Sequence, residues 1–151
     1  MSHTYSFLLT HIVFSTKDRI ALITENQMRD RLYSYISAII NKKFGFTKKI
    51  NGTADHVHVL LDIKTSFSIS EIVRVVKSNS SKWINDNFNL VNNFAWQVGY
   101  GAFAVSMSNE EKIVQYINNQ EKHHEKFSYK EELILLLKRH GIQYDEKYLW
   151  Q

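Results

Sequence analysis

The chain has 151 residues, of which 44% are hydrophobic, enough for one domain with a substantial core. It contains no cysteine, which excludes disulfide bonds and thiolate metal ligands. Its net charge of +4 is compatible with a polyanionic partner, although many basic proteins bind none. No apolar run reaches the roughly 20 residues of a membrane span, and no signal-peptide pattern is visible. We therefore expect a single cytoplasmic domain, residues 1–151, with no membrane association.

The first part of the chain predicts a strand, a helix and two more strands. β-branched and aromatic residues favour a buried first strand. Thr24 and Gln27 have the spacing of a helix capping box, and apolar residues then recur at helical spacing. The predicted elements are a strand at 4–15, a helix between Thr24 and Gly45, and strands at 46–53 and 56–63.

The second part of the chain predicts a helix, a strand and two more helices. Ser68 or Ser70 is a suitable N-cap for the first of these helices, and Ser108 with Glu111 forms another capping box. The predicted elements are a helix from Ser68 or Ser70 past Trp83, a strand at 94–105 broken at Gly99 and Gly101, a helix from Ser108 to about His124, and a helix at 128–140 stopped by Gly141.

This order of elements predicts an α+β fold. Strand, helix, strand, strand, helix, strand is the order of a ferredoxin-like or RRM-like βαββαβ unit, an antiparallel sheet with helices on one face. Further helices follow at the C-terminus. We expect the second sheet face to stay open, and by analogy with such folds an open face is where nucleic acid is held.

Two histidines in the third predicted strand are candidate metal ligands. Because side chains alternate along a strand, His56 and His58 project from one face, with Val57 and Val59 on the other. Two neutral imidazoles at this spacing can bind one divalent cation, and Asp62 on the same face could support them. Alternatively, the histidines simply form hydrogen bonds on a polar sheet face.

A tyrosine and a glutamine lie one turn apart on the third predicted helix. Tyr116 and Gln120 flank the apolar stripe that docks this helix, and His123 continues their row. A phenol has a pKa of about 10, so its attack on phosphorus at neutral pH needs assistance, which a bound Mg²⁺ or Mn²⁺ would supply. Two imidazoles with an amide oxygen suit Mn²⁺ at least as well as Mg²⁺. The alternative is an amphipathic tyrosine that seals the edge of the core.

Basic and hydroxyl side chains cluster on the second predicted helix. Arg74, Lys77 and Lys82 alternate with serines, including Ser80, and this mixture is suited to binding phosphates. An ordinary solvated helix face has the same composition. The aromatic residues Trp96 and Tyr100 could stack on unpaired bases, but the sequence favours core or interface packing for each of them.

Several separated segments resemble the single-tyrosine HUH transposases (TnpA type) of insertion sequences that move as single-stranded DNA. The segments are HIVFSTKDR at 11–19, ADHVHVLLDI at 54–63, VVKSNSSKWI at 75–84, FAWQVGYGAFAVSMS at 94–108 and VQYINNQEKHH at 114–124. They occur in the family's order, and the resemblance as a whole extends over about residues 5–140. The chain departs from the family pattern at Ala54, where proline is common, and at Ser78, often glycine.

The resemblance implies a set of residue roles and partners. Tyr116 would be the nucleophile, and His56, His58 and Gln120 would bind a divalent cation, Mg²⁺ or Mn²⁺. The reaction would pass through a 5′-phosphotyrosine intermediate and leave a free 3′-OH. The substrate would be single-stranded DNA with hairpins at the element ends. The protein would act as a homodimer, in which the helix of Tyr116 can complete the partner's site, and would be nucleoid-associated when bound to DNA.

Two other functions remain open at this stage. One is a domesticated tyrosine transposase that processes repetitive palindromes in chromosomes, and the short C-terminus with no basic tail argues mildly against it. The other is a non-catalytic domain that binds single-stranded nucleic acid. The combination of Tyr116 with His56, His58 and Gln120 favours an active enzyme, because a binding domain has no need of all four.

Overall fold

Four antiparallel strands form one sheet in the order β2-β3-β1-β4 in the computed structural model, which describes residues 3–150. β3 and β1 are central, and β2 and β4 are the edges. The strands are β1 Leu9–Ser15, β2 Gly45–Gly52, β3 His56–Ile63 and β4 Gly101–Ala104. The helices are α1 Asn26–Ile39, α2 Ile69–Asn87, α3 Glu110–Asn118, α4 Gln120–His124, α5 Tyr129–Arg139 and α6 Glu146–Leu149.

The main core lies between one sheet face and helices α1 and α2. Val57 and Val59 of β3 point to this side and pack against the apolar stripes of both helices. The stripe of α1 is the one predicted from its helical spacing, with Met28, Leu32 and Ile36 buried. The α+β fold class with a four-stranded antiparallel sheet is therefore confirmed. No helix within residues 3–150 has the length and apolar character needed to cross a membrane.

The C-terminal helices cover the second sheet face, so the prediction of an open face is wrong. Leu60 of β3 packs against Ile117 of α3, and Val13 of β1 packs against Leu133 of α5. The reason is that the two central strands carry apolar side chains on both faces, and a strand of this kind requires cover on each side. All seven residues of β1 are buried. Nucleic acid therefore has no bare sheet to occupy in this conformation.

Four local predictions differ from the structure. β1 begins at Leu9, so residues 4–8 of the predicted strand at 4–15 lie outside it. Residues 94–100 do not join the ladder apart from a single bridge between Thr16 and Trp96, so β4 is much shorter than the predicted strand at 94–105. The helix predicted from Ser108 to His124 is broken at Asn119 into α3 and α4. Neither Thr24 nor Ser108 caps a helix, because α1 and α3 begin later, after Glu25 and Asn109 respectively.

The remaining helix ends follow the sequence signals. Ser68 caps α2 by accepting a hydrogen bond from the Glu71 backbone. Gly141 follows α5 with a positive φ of 64°, the left-handed conformation that glycine adopts without strain. Ser128 and Glu131 form a capping box that fixes the start of α5. These caps set the position of α5, which carries part of the candidate site.

Candidate active site

His56 and His58 lie side by side on the central strand β3, with both side chains fully buried. They face the C-terminal helices, whereas Val57 faces the main core, as the alternation along a strand predicts. At Gly52 on the neighbouring strand β2, a side chain would collide with the His56 backbone oxygen. The backbones of β2 and β3 therefore approach each other closely at the first histidine. Asp62, on the same face, accepts a hydrogen bond from the Leu8 backbone instead of supporting a histidine.

Each histidine is oriented by a partner on its Nδ1 atom. His56 Nδ1 lies 2.7 Å from Asp55 Oδ1, and His58 Nδ1 lies 2.8 Å from His11 Nε2. A partner at Nδ1 orients each ring and directs its Nε2 atom, the one that could bind a cation, away from the strand. Both Nε2 atoms point toward the C-terminal helices, where they meet Gln120 and Glu132.

The break at Asn119 brings Gln120 onto the sheet. Asn51 of β2 donates hydrogen bonds to the backbone oxygens of Ile117 (3.0 Å) and Asn118 (3.2 Å) and so terminates α3. Gln120 then starts α4 with its side chain fully buried, and its Oε1 lies 3.1 Å from His56 Nε2. The structure thus brings together the tyrosine helix and the paired histidines within one chain. Tyr116, one turn earlier, is half-buried beside them.

Glu132 of α5 lies at the centre of this cluster. Its side chain is 1% exposed. One carboxylate oxygen, Oε1, lies 2.7 Å from His58 Nε2 and 3.4 Å from His56 Nε2. The other, Oε2, accepts a hydrogen bond of 2.5 Å from the Tyr116 hydroxyl. The glutamate therefore contacts both predicted histidines and the predicted nucleophile.

The electrostatics of the cluster follow from burial and this shared carboxylate. Burial disfavours a charged Glu132, but the imidazoles of His124, His56 and His58 outweigh burial and hold the pKa of the carboxyl well below its usual range. Burial lowers the pKa of His58 to about 4, which keeps its imidazole neutral. Burial and the charge of Glu132 raise the pKa of Tyr116 well above its ordinary value. The phenol is thus protonated at neutral pH and needs help to react.

The cluster has the composition and spacing of a divalent-cation site. Ligand atoms of His56, His58, His124 and Glu132 all lie within 4.8 Å of one another. The Nε2 atom of His124 also faces this cluster, 3.2 Å from Glu132 Oε2. Adjacent ligands of an octahedral ion with bonds of about 2.1 Å are about 3.0 Å apart. The separations of 2.7, 3.1 and 3.4 Å between His nitrogens and Glu or Gln oxygens in the structure lie around that value.

Glu132, His124, Asp55 and His11 were not predicted as site residues from the sequence. Glu132 nevertheless carries a recognisable signal, because it interrupts the apolar stripe of α5 formed by Tyr129, Leu133 and Leu136. A carboxylate at a buried helix position requires charged or hydrogen-bonding partners. The partners themselves are far away in sequence, so the stripe alone could not have named them.

The basic residues of α2 divide into two groups. Arg74 and Lys82 are exposed, and Lys82 pairs with Asp86 at 2.6 Å. Lys77 points the other way and donates hydrogen bonds to the backbone oxygens of Gln97 and Gly99. Lys77 therefore holds the loop before β4 rather than presenting its charge to solvent.

Ser80 and Trp96 belong to the interior. Ser80 is fully buried and accepts a hydrogen bond of 2.9 Å from the Trp96 indole nitrogen. Trp96 packs edge-on against Phe14 in the main core. This burial is at odds with the predicted DNA contact by Ser80 and with base stacking by Trp96. Tyr100 is 40% exposed and remains accessible.

Comparison with known families decides the class of protein. The sequence matches the family described as IS200-like transposases over residues 4–120. The chain belongs to this family. The matched region of this IS200-like transposase includes the predicted nucleophile Tyr116 and the predicted cation ligands His56, His58 and Gln120, whereas α5 lies outside it.

Two solved structures share the fold of this IS200-like chain. One is the crystal structure of a candidate transposase from Deinococcus radiodurans R1, with a TM-score of 0.64 and 22% identity over 80% of this chain and 95% of that chain. The other is the REP-associated tyrosine transposase bound to a REP hairpin, with a TM-score of 0.60 and 15% identity over 82% of this chain and 74% of that chain. The search of curated proteins found no match.

Proposed function

We propose that this IS200-like transposase cuts and rejoins single-stranded DNA through a covalent bond between Tyr116 and a 5′ phosphate. The observation that supports this most directly is the shared carboxylate of Glu132. Tyr116 lies 2.5 Å from one of its oxygens, and His58 lies 2.7 Å from the other. The candidate nucleophile and the candidate cation ligands are therefore adjacent in one buried cluster.

In the proposed reaction, the phenolic oxygen of Tyr116 bonds to phosphorus while the bond between phosphorus and the 3′ oxygen breaks. The phenol releases its proton, and the departing oxygen gains one to become a 3′-OH. A divalent cation, Mn²⁺ or Mg²⁺, bound by His56, His58 and Gln120 would polarise the scissile phosphate and stabilise its charge. Asp55 and His11 orient the two imidazoles through their Nδ1 atoms. Rejoining is the reverse reaction, with a 3′-OH as the attacking group.

We propose hairpin-bearing single-stranded DNA at the element ends as the substrate. The REP-associated tyrosine transposase of similar fold is bound to a REP hairpin. Arg74 and Lys82 are the two exposed cations of α2 among the predicted DNA-binding residues, and we assign them to contacts with backbone phosphates. Lys77 would act indirectly, because it fixes the loop at 97–99. Because such contacts are electrostatic, the affinity for DNA should fall as the salt concentration rises.

The nucleophile is tested with a Tyr116→Phe variant and single-stranded DNA that carries the element's own ends, in Mn²⁺ or Mg²⁺. The variant should form no denaturant-resistant protein–DNA band, because it lacks the attacking oxygen. Its fold should be unchanged, since the ring remains. Tyr100→Phe is the matched control and should behave like wild type, because Tyr100 is exposed and outside the cluster. An adduct that persists in Tyr116→Phe would assign the nucleophile elsewhere, with Tyr129 or Tyr100 next.

The cation is tested by chelation and by His58→Ala. Either change should stop cleavage but retain much of the hairpin affinity, because the proposed phosphate contacts of Arg74 and Lys82 do not require the cation. Cleavage is followed on a denaturing gel, and binding is followed by fluorescence anisotropy at one fixed salt concentration. Full-rate cleavage by the chelated protein would contradict the cation role.

A further inference from the structure

Glu132 has a position that the proposed reaction does not yet explain. It lies on α5, twelve residues beyond the segment 4–120 that matches the transposase family. Its carboxylate is nearly inaccessible to solvent, and burial of a charge is costly unless that charge is fully paired. A residue that merely packed α5 against the sheet would be better served by an apolar side chain, such as those of Leu133 and Leu136 next to it.

The contacts of the two carboxylate oxygens are different in kind. Oε1 faces the paired histidines, at 2.7 Å from His58 and 3.4 Å from His56. Oε2 faces the other way, toward the Tyr116 hydroxyl at 2.5 Å and the Nε2 atoms of His123 at 3.1 Å and His124 at 3.2 Å. One side chain thus spans the distance between the candidate cation position and the nucleophile.

We propose that Glu132 bridges the cation and the nucleophile, with Oε1 as a further protein ligand and Oε2 as the acceptor that positions the Tyr116 hydroxyl. This inference rests on the proposed function. A carboxylate suits both tasks, because it has two oxygens that accept and none that donates. Oxygen ligands are also what Mg²⁺ and Mn²⁺ favour, and the two histidines alone supply none.

The fold holds Glu132 in place for this role. The capping box of Ser128 and Glu131 fixes the start of α5, and Tyr129 donates a hydrogen bond of 3.1 Å to Gln97. Glu132 follows three residues after Tyr129 and therefore lies on the same side of the helix, toward the sheet. Movement of α5 away from the sheet would remove a ligand and release the phenol together.

The test measures Mn²⁺ affinity of the free protein by electron paramagnetic resonance or calorimetry in Glu132→Gln and Glu132→Asp. Glutamine keeps the size but replaces one acceptor oxygen with a donor, so we expect Mn²⁺ binding weaker by about tenfold or more. Adduct formation should fall at saturating Mn²⁺, with hairpin affinity unchanged. Aspartate keeps both oxygens and should restore part of the Mn²⁺ affinity. Glu125→Gln, an exposed carboxylate outside the cluster, is the matched control.

The outcomes separate this inference from the function on which it rests. Wild-type Mn²⁺ affinity and a wild-type adduct rate in Glu132→Gln would overturn the bridge, even if Tyr116→Phe confirms the nucleophile. Faster adduct formation in Glu132→Gln would also overturn it, because the carboxylate would then restrain the phenol. If wild type itself forms no adduct, the proposed function fails, and the Mn²⁺ affinities still decide whether Glu132 is a ligand. Circular dichroism establishes that each variant is folded.

Discussion

At the scale of single residues, the buried hydroxyl of Ser80 joins α2 to the loop that follows it. The hydroxyl accepts the hydrogen bond of the Trp96 indole and donates its own to the Val76 backbone oxygen. Its predicted role as a phosphate contact depended on composition alone, because serines alternate with basic residues along α2. Helical position distinguishes the serines: Ser80 is buried among the core residues Val76 and Ile84, whereas Ser78 is exposed.

Ser80→Ala should therefore lower stability without a direct effect on DNA binding. The substitution leaves the buried Trp96 N–H without an acceptor, which costs about 1–3 kcal/mol in the free energy of unfolding. Ser78→Ala is the matched control, and we expect a change within about 0.5 kcal/mol because its hydroxyl is exposed. Urea unfolding followed by tryptophan fluorescence measures both. Weaker hairpin binding by a fully stable Ser80→Ala protein would instead support the DNA contact.

At the scale of elements, local patterns predict strands best where the ladder is complete. β3 occupies His56–Ile63, the range predicted from its apolar residues and the preceding turn. The stretch at 94–100 has the same kind of composition but not the same structure. There the backbone oxygens of Gln97 and Gly99 accept hydrogen bonds from Lys77 on α2 instead of from a neighbouring strand. A lysine twenty residues away is not visible in a local pattern.

The candidate site likewise contains some residues that the sequence predicts and others that it does not. His56, His58, Tyr116 and Gln120 could be proposed together, because their spacing and the resemblance both point to them. The break between α3 and α4 could not be predicted from the sequence, because it depends on hydrogen bonds from Asn51 of β2 to the last backbone oxygens of α3. Glu132 was missed because its contacts depend on how α5 docks against the sheet. Periodicity gives the buried side of a helix but not the strand that it faces.

At the scale of the whole molecule, the coverage of the sheet decides where chemistry can occur. The near-continuous apolar runs of β1 and β3 were a signal that both faces are covered, and the analogy with open-faced nucleic-acid-binding folds obscured it. Because α3, α4 and α5 cover the second sheet face, His56 and His58 lie in a buried cluster with Glu132 rather than on the protein surface. In the proposed reaction, DNA would reach the cluster at its half-buried edge, where Tyr116 and His123 lie.

For the homodimer that the family resemblance implies, the arrangement within one chain predicts how the sites assemble. The helix of Tyr116 reaches the histidines of its own chain, so each site should be complete in cis. Tyr116→Phe and His58→Ala chains with different tags are co-expressed and incubated with single-stranded DNA. No adduct should form on either chain, because one lacks the nucleophile and the other lacks a cation ligand.

A pairing of wild type with the double variant is the control, in which the wild-type chain should form an adduct. Trans assembly predicts the opposite result, an adduct on the His58→Ala chain, since its Tyr116 would act at the partner's intact histidines.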